Sequence, residues 1–196
     1  MANQPHVIII AGPNGAGKST TAPHLLKDLL GVTEFVNADV IAQGLSAFAT
    51  EAVAFQAGRI MLNRLHQLAE NRRNFAFETT LSTRSYAAFL QKLKAQGYRI
   101  YLVFLWLPSP DMSIARVAER VRSGGHFVPD AVVYRRYQRG LNNFFNLYKP
   151  LADQWRFYDN ADFEGAKLIA AGCFNQENNI ANPQVWKHLT GIYSHD

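Results

Sequence analysis

The stretch "IIIAGPNGAGKST" at residues 8–20 constrains the fold of this chain more than any other feature. Its part from Gly12 to Ser19 matches the pattern G-x-x-x-x-G-K-[ST] at every fixed position. The continuous apolar segment "HVIIIAG" at 6–12 predicts a buried strand before it, and residues 18–30 are predicted to form a helix after it. A phosphate-binding loop requires this strand–loop–helix context, so the sequence predicts an α/β fold built around a phosphate site.

The glycines of this loop let the backbone wrap closely around a β-phosphate, so that several amide groups point at it. The N-terminus of the following helix adds a favourable field for an anion. Lys18 is predicted to reach the β- and γ-phosphates, and the Ser19 hydroxyl is predicted to ligate Mg²⁺. No His/Cys cluster has metal-ligand spacing, so Mg²⁺ is the only metal implied. The predicted nucleotide-binding residues are Gly12, Pro13, Asn14, Gly15, Ala16, Gly17, Lys18, Ser19 and Thr20.

Strand and helix patterns alternate along the rest of the chain, which indicates an α/β fold with a mainly parallel sheet. The tail is less regular: "KLIAAGCF" can form a strand and "NPQVWKHL" a short helix. No segment has the character of a long linker, so residues 1–196 are predicted to form a single domain. Further strands are predicted at 34–39, 75–80, 98–107 and 155–160, and further helices at 51–72, 84–96, 110–122 and 130–148.

The composition is that of a globular protein, because 48% of the 196 residues are hydrophobic and 18% are charged. The one cysteine, Cys173, cannot form an internal disulfide, which fits a reducing compartment. The sequence shows no signal-peptide pattern and no apolar stretch near the ~20 residues of a membrane span, so we expect a cytoplasmic protein without a membrane partner. The net charge of +5 and the pI of about 9.4 favour anionic partners, either nucleic acid or small phosphorylated molecules.

Several classes of nucleotide-binding protein share this loop, and most lack further support here. A motor or transporter ATPase usually has an apolar strand that ends in a carboxylate pair. A transporter subunit also has an "LSGGQ"-like signature, and only "RSGGHF" at 122–127 partly resembles it. A GTPase has a guanine-reading "NKxD" motif, which "NADV" at 37–40 does not match. A kinase instead needs an acceptor site, a base for the acceptor hydroxyl and cations around the transferring phosphoryl group, and the chain offers all three.

Two carboxylates are candidates for the acceptor side. Asp39 ends the predicted second strand, where ligands gather in open α/β sheets, and it can accept the proton of an incoming hydroxyl. The alternative is a helix N-cap, and both roles can hold together. Glu78 lies inside the apolar strand of "FETTLST", where a charge needs a role or a partner; it can bind substrate hydroxyls or a Mg²⁺-bound water. Substrate binding and helix capping both remain open for the hydroxyls of Thr79, Thr80 and Ser82.

The region from 95 to 148 contains arginines but no lysine. The planar guanidinium suits phosphate oxygens, and the glycines of "SGGHFVP" at 123–129 permit a hinge. We therefore expect a lid over about 116–139 that brings arginines onto a triphosphate. The alternatives are a solvated basic face or a patch for nucleic-acid phosphates, and His126 can contact phosphate or simply order its loop. The arginines are Arg99, Arg116, Arg120, Arg122, Arg135, Arg136 and Arg139.

Taken together and in order, these motifs resemble the zeta toxin family of P-loop kinases. The resemblance covers about residues 6–160 and lies in "GPNGAGKST", "NAD", "FETTLS" and "RVRSGGHFVPDAVVYRRYQRGL". It implies a P-loop kinase fold, with a five-stranded mainly parallel sheet flanked by helices and an arginine-rich helical lid. It also implies transfer of the γ-phosphate of ATP to the 3′-hydroxyl of the amino sugar in UDP-N-acetylglucosamine, with Mg²⁺ as cofactor.

The resemblance carries roles to individual residues of this chain. Asp39 matches the catalytic base, Glu78 and Thr80 match substrate-binding positions, and Lys18 and Ser19 match the donor site. The chain departs from the family pattern at Ser82, where an arginine is common, and Arg84 is the candidate replacement. The arginines that grip the phosphates match either Arg122 and Arg135 or their neighbours Arg120 and Arg136.

The resemblance implies a sugar nucleotide as substrate and an antitoxin protein as a candidate partner. Another acceptor, such as a different sugar, a nucleotide or an antibiotic hydroxyl, is the first alternative. A nucleic-acid-associated ATPase is the rival from another class, although nucleic acid is the less favoured partner. A module that binds nucleotide without catalysis is the third alternative function.

Overall fold

The chain folds around one twisted sheet. The computed structural model describes residues 4–23, 26, 32–46, 52–125, 127–162 and 164–194. Within these ranges the sheet has seven strands in the order β2-β3-β1-β4-β5-β6-β7. The first five strands are parallel and the last two antiparallel. The strands are β1 (His6–Ala11), β2 (Phe35–Val36), β3 (Phe75–Thr79), β4 (Arg99–Trp106), β5 (Gln154–Asp159), β6 (Lys167–Cys173) and β7 (Gln176–Ile180).

Helices cover the sheet and connect its parallel strands. A π-helical turn (Phe144–Tyr148) and a 3₁₀ turn (Lys149–Leu151) follow the sixth helix. The described helices are α1 (Lys18–Pro23), α2 (Ala38–Leu45), α3 (Ala54–Glu70), α4 (Ser85–Ala95), α5 (Pro110–Arg122), α6 (Asp130–Asn143) and α7 (Pro183–Tyr193). None of them is both long and apolar enough to cross a bilayer.

β1 is apolar at successive positions because both of its faces are buried. Val7 and Ile9 belong to the large core cluster that includes Met61 of α3. Ile8 and Ile10 belong to a second core cluster, which includes Ala22 of α1. The parallel register places Ile10 beside Glu78 of β3. The loops that follow β1 and β3 therefore begin at the same edge of the sheet.

The predicted α/β fold class is confirmed, and the sheet is larger than the five strands expected. The segment from Lys167 to Ile180 forms an antiparallel hairpin that extends the sheet beyond β5. α7 then packs over this part, with the Trp186 ring stacked on Trp155 at 5.4 Å between ring centroids. The "KLIAAGCF" and "NPQVWKHL" patterns therefore do form a strand and a helix.

The start of α2 corrects the prediction for residues 34–39. β2 ends at Val36, and Asn37 is the N-cap of α2, because its side-chain oxygen accepts a hydrogen bond from the Asp39 amide (2.8 Å). Asp39 thus lies in the first turn of a helix and not at a strand end, and the capping residue is Asn37, two residues before it. The predicted helix 130–148 is also divided, since its last five residues form the π-helical turn.

Candidate active site

The phosphate loop has the backbone shape that its glycines permit. Gly12 has φ +145°, and a Cβ there would collide with the backbone oxygen of Leu105, so only glycine fits against β4. The Lys18 ammonium donates a hydrogen bond to the Pro13 carbonyl (2.8 Å). The predicted segment from Gly12 to Thr20 therefore forms a compact turn up to Gly17 and the first residues of α1 from Lys18.

Four polar side chains meet beside the loop. Glu78 accepts hydrogen bonds from the Ser19 hydroxyl (2.7 Å) and from the Asn37 side-chain amide (2.8 Å). Its other carboxylate oxygen lies 3.7 Å from the Lys18 ammonium. The structure thus brings Glu78 to the donor loop, while Thr80 lies on the loop that follows β3. Sequence reasoning missed Asn37, although the "NAD" stretch contained it.

Lys18 and Glu78 form a nearly buried ion pair, with side chains 7% and 9% exposed. Burial lowers the pKa of Lys18, because a charged ammonium loses water there, and the carboxylates of Glu78 and Asp39 partly oppose that shift. The guanidinium of Arg120 adds to the lowering of this pKa. Burial therefore disfavours the charged form of Lys18, and the two carboxylates favour it.

One cavity of about 570 Å³ extends from these groups to Asp39 and α3. Asp39, Arg120 and Arg136 line it together with loop residues, one face of α3 and the segment after β3. Its walls are formed by Asn14, Gly15, Lys18, Asn37, Ala38, Asp39, Ala54, Phe55, Gly58, Arg59, Met61, Leu62, Glu78, Thr79, Thr80, Ser82, Thr83, Ser85, Tyr86, Arg120 and Arg136.

The structure separates the two arginine pairs that the sequence left open. Arg120 and Arg136 line the cavity. Arg122 forms an ion pair with Glu119 on the surface, with its side chain 71% exposed, and the exposed Arg135 is not part of the cavity wall. Burial lowers the pKa of Arg136, and the charge of Asp39 opposes this, so the two groups are electrostatically coupled.

The helices that carry these arginines are fixed to the body of the protein. Ser113 of α5 donates a hydrogen bond to the Asn14 carbonyl (2.5 Å), and Arg116 donates to the Asn160 carbonyl (2.8 Å). The Tyr137 hydroxyl of α6 donates to a backbone carbonyl after β4 (2.7 Å). A lid over 116–139 stays a prediction, and these hydrogen bonds join α5 and α6 to the phosphate loop and to the segments that follow β4 and β5.

The two glycines of the segment between α5 and α6 differ in their surroundings. Gly124 follows the end of α5 with φ +83°. A Cβ on Gly125 would lie 2.5 Å from the Arg120 side chain and 2.9 Å from its carbonyl oxygen, so this glycine leaves room for an arginine of the cavity. His126 lies outside the described residues.

The loop after β3 is held by the last residue of α6 and by the π-helical turn that follows it. Leu81 is buried with φ +54°, a left-handed conformation that a leucine rarely adopts. Its carbonyl accepts a hydrogen bond from the buried Asn143 amide (2.7 Å), and the Thr83 carbonyl accepts one from the Tyr148 hydroxyl (2.6 Å). Thr80 and Ser82 share a hydroxyl hydrogen bond (2.9 Å). These contacts hold the loop in a position in which Thr80 and Ser82 line the cavity.

Gly140→Ala is expected to destabilise the protein by about 1–3 kcal/mol, because a Cβ there would lie 2.5 Å from the Thr80 backbone oxygen. Since a loss of 1 kcal/mol lowers the Tm of a domain of this size by roughly 2–4 °C, thermal unfolding measures the effect. Gly191→Ala in α7 is the matched control, because a Cβ there meets nothing within 4 Å. That control is expected to be neutral or stabilising, and equal Tm values for both variants would contradict the close contact at Gly140.

Comparison with known proteins identifies the family. The zeta toxin family model matches residues 1–162. An uncharacterized protein of Haemophilus influenzae (strain ATCC 51907 / DSM 11121 / KW20 / Rd) is 28% identical over 134 residues, which are 68% of this chain and 94% of that protein.

Solved structures show the same fold. A chain in the AvrRxo1-ORF1:AvrRxo1-ORF2 complex with sulphate ions matches with a TM-score of 0.74 and 18% identity, over 96% of this chain and 64% of that one. The present chain thus spans about two-thirds of that protein. The PezAT chromosomal toxin-antitoxin system of Streptococcus pneumoniae matches with a TM-score of 0.66 and 16% identity, over 97% and 85% of the two chains. The family match covers most of the sequence, so this chain belongs to the zeta toxin family and is an ATP-dependent kinase.

Proposed function

We propose that this kinase transfers the γ-phosphoryl group of ATP to a hydroxyl of UDP-N-acetylglucosamine, with Asp39 as the general base. One observation carries the proposal: a single cavity is lined at once by the phosphate loop, by Asp39 and by Arg120 and Arg136. Donor cradle, acceptor base and phosphate-binding cations therefore share one space, as in-line transfer requires.

The donor side fits Mg²⁺, although no group of three or more His, Cys, Asp or Glu side chains forms a metal site among the described residues. Mg²⁺ prefers oxygen ligands and usually combines one or two protein groups with waters and substrate phosphates. The Ser19 hydroxyl and the Glu78 carboxylate, 2.7 Å apart, supply such oxygens. We propose that Ser19 binds the ion directly and Glu78 through water; when bound, the ion neutralises charge on the phosphate oxygens.

In this proposal the side chains of the cavity have two further roles, proton acceptance and stabilisation of negative charge. Asp39 accepts the proton of the acceptor hydroxyl, whose oxygen forms the new bond to the γ-phosphorus. The bond from the γ-phosphorus to its bridging oxygen breaks, and ADP leaves. Lys18, Arg120 and Arg136 stabilise the negative charge of the moving group, because they are fixed near it and partly shielded from water.

Two wider features belong to the same proposal. We infer an antitoxin partner, which is supported by family membership and by the likeness to the fold of the PezAT toxin-antitoxin system. A cytoplasmic location remains an expectation that rests on the single cysteine and the composition.

The test incubates the protein with ATP, Mg²⁺ and UDP-N-acetylglucosamine and follows the acceptor by mass spectrometry. The expected product is the sugar nucleotide with one added phosphoryl group, formed by the parent and not by Lys18→Ala. If phosphate is transferred only to other sugars, nucleotides or antibiotics, the acceptor is wrong while the kinase mechanism stands. Salt-dependent stimulation of ATP hydrolysis by DNA or RNA, without transfer to a small acceptor, would contradict the proposal.

A further inference from the structure

We propose, on the basis of the proposed function, that one face of α3 recognises the acceptor: Arg59 binds an anionic group of the acceptor, and Gly58 leaves room for its ring. This assigns a specificity site to residues that the sequence motifs do not include. It favours a phosphorylated acceptor with a planar or sugar ring over a neutral sugar.

The cavity has two ends with different residues. The phosphate loop, Glu78 and Asn37 form the donor end. The opposite wall is α3, where Ala54, Gly58 and Leu62 follow one another at intervals of four residues and so lie on one helical face. An acceptor hydroxyl placed at Asp39 leaves the rest of that molecule against this wall.

Gly58 is an unusual residue for this position. A glycine in the interior of a helix is less stable than an alanine. The chain's own packing does not require it, because a Cβ at Gly58 would meet nothing within 4 Å, whereas one at Gly140 would collide with backbone. Gly58 lies in the cavity wall, so the missing side chain leaves α3 backbone open to a ligand there.

The charge of the cavity indicates two anionic ligands. Four cationic side chains and two carboxylates line it. Lys18, Arg120 and Arg136 surround the donor phosphates in the proposed mechanism, and Glu78 is already bonded to the donor-site residues. Arg59 is the remaining cation. Among the described residues it has no hydrogen bond or ion pair, in contrast to Arg64 of the same helix, which pairs with Glu34 at 3.0 Å.

An aromatic ring lies one helical turn before this cation in the cavity wall. Phe55 is four residues before Arg59, hence on the same side of α3, and it is 81% exposed in the cavity wall. Exposed aromatic rings bind flat or apolar faces of ligands by stacking. A ring-stacking group, a guanidinium and an open stretch of backbone together fit an acceptor that carries a ring and a phosphate.

The experiment compares Arg59→Gln with Arg64→Gln, a matched arginine of α3 that lies outside the cavity wall. Calorimetry titrates UDP-N-acetylglucosamine, and separately neutral N-acetylglucosamine, into protein saturated with Mg²⁺ and a non-hydrolysable ATP analogue. Loss of the charged contact is expected to weaken UDP-N-acetylglucosamine binding on the order of tenfold in Arg59→Gln, and Arg64→Gln is expected to match the parent. Gly58→Leu, which fills the groove, should weaken binding as well.

The outcomes separate this inference from the proposed reaction. Equal affinities of Arg59→Gln and the parent, or equally tight binding of neutral N-acetylglucosamine, would overturn the inference, even if transfer to UDP-N-acetylglucosamine is observed. Arg59-dependent binding without transfer would keep the α3 site and remove the proposed reaction. If the parent binds no UDP-N-acetylglucosamine, both fail. Thermal unfolding of each variant checks that the fold is intact.

Discussion

Asp39→Asn is expected to lower the rate of phosphoryl transfer by about 10²–10⁴-fold and to leave ATP binding intact. The side-chain amide of asparagine has the size of the carboxylate but cannot accept the proton of the acceptor hydroxyl. The Asp39 amide proton still bonds to the Asn37 side chain, so the start of α2 should be preserved. Single-turnover transfer and equilibrium ATP binding measure the two effects separately.

The control for this variant addresses the helix position of Asp39. A carboxylate in the first turn also stabilises a helix through its dipole, independently of catalysis. Asp130→Asn removes a first-turn carboxylate from α6 at a site that is not part of the cavity wall. It should cost little activity, whereas Lys18→Ala should weaken nucleotide binding as well as transfer. Transfer by Asp39→Asn at the parent rate would show that another group takes the proton.

The donor side could be predicted because its determinants are local. The order of apolar strand, glycine loop and Lys18-Ser19 is contained in 15 consecutive residues, from His6 to Thr20. Burial on both faces of β1 explains its continuous apolar pattern, and the glycines of the loop permit its positive φ angles. The fold class could be predicted for the same reason, since helical and strand periodicities are properties of short segments.

The position of Asp39 was harder to predict, because a cap residue can shift an element boundary. "EFVNAD" has a strand-like apolar start, but the Asn37 side chain bonds to the Asp39 amide and begins a helix there. The same carboxylate therefore reaches the cavity from a helix and not from a strand. The role of Asp39 as the base stays a prediction, and the prediction that a strand carries it was wrong.

Contacts between distant residues could not be predicted from local patterns. The Asn143 amide and the Leu81 carbonyl are 62 residues apart, and the side chain of Asn160 bonds to the Ala16 carbonyl across 144 residues. Neither asparagine lies in a recognisable motif. Helical spacing likewise groups Arg116 with Arg120, yet Arg116 binds backbone carbonyls after β5 while Arg120 lines the cavity. Tertiary packing decides which of several similar arginines lines the cavity.

Arg136→Gln is expected to reduce transfer by at least about 10²-fold, because arginines that stabilise the charge of a transferring phosphoryl group contribute roughly 10³–10⁵ where they have been removed. Arg136 lines the cavity and is coupled to Asp39, so its charge acts on both donor and base. The rate at saturating ATP and acceptor should fall far more than ATP affinity, since the contact gains strength as charge moves.

The adjacent residue supplies the matched control for this variant. Arg135 has the same side chain one position away but is exposed outside the cavity wall, and Arg122 is paired with Glu119 on the surface. Arg135→Gln and Arg122→Gln should therefore keep transfer rates close to the parent. If these two variants lose activity while Arg136→Gln keeps it, Arg122 and Arg135 bind the phosphates. That result would require the 123–129 segment to rearrange around bound nucleotide. Because Arg120 and Arg136 already line the cavity, we expect this pair to act without such a movement.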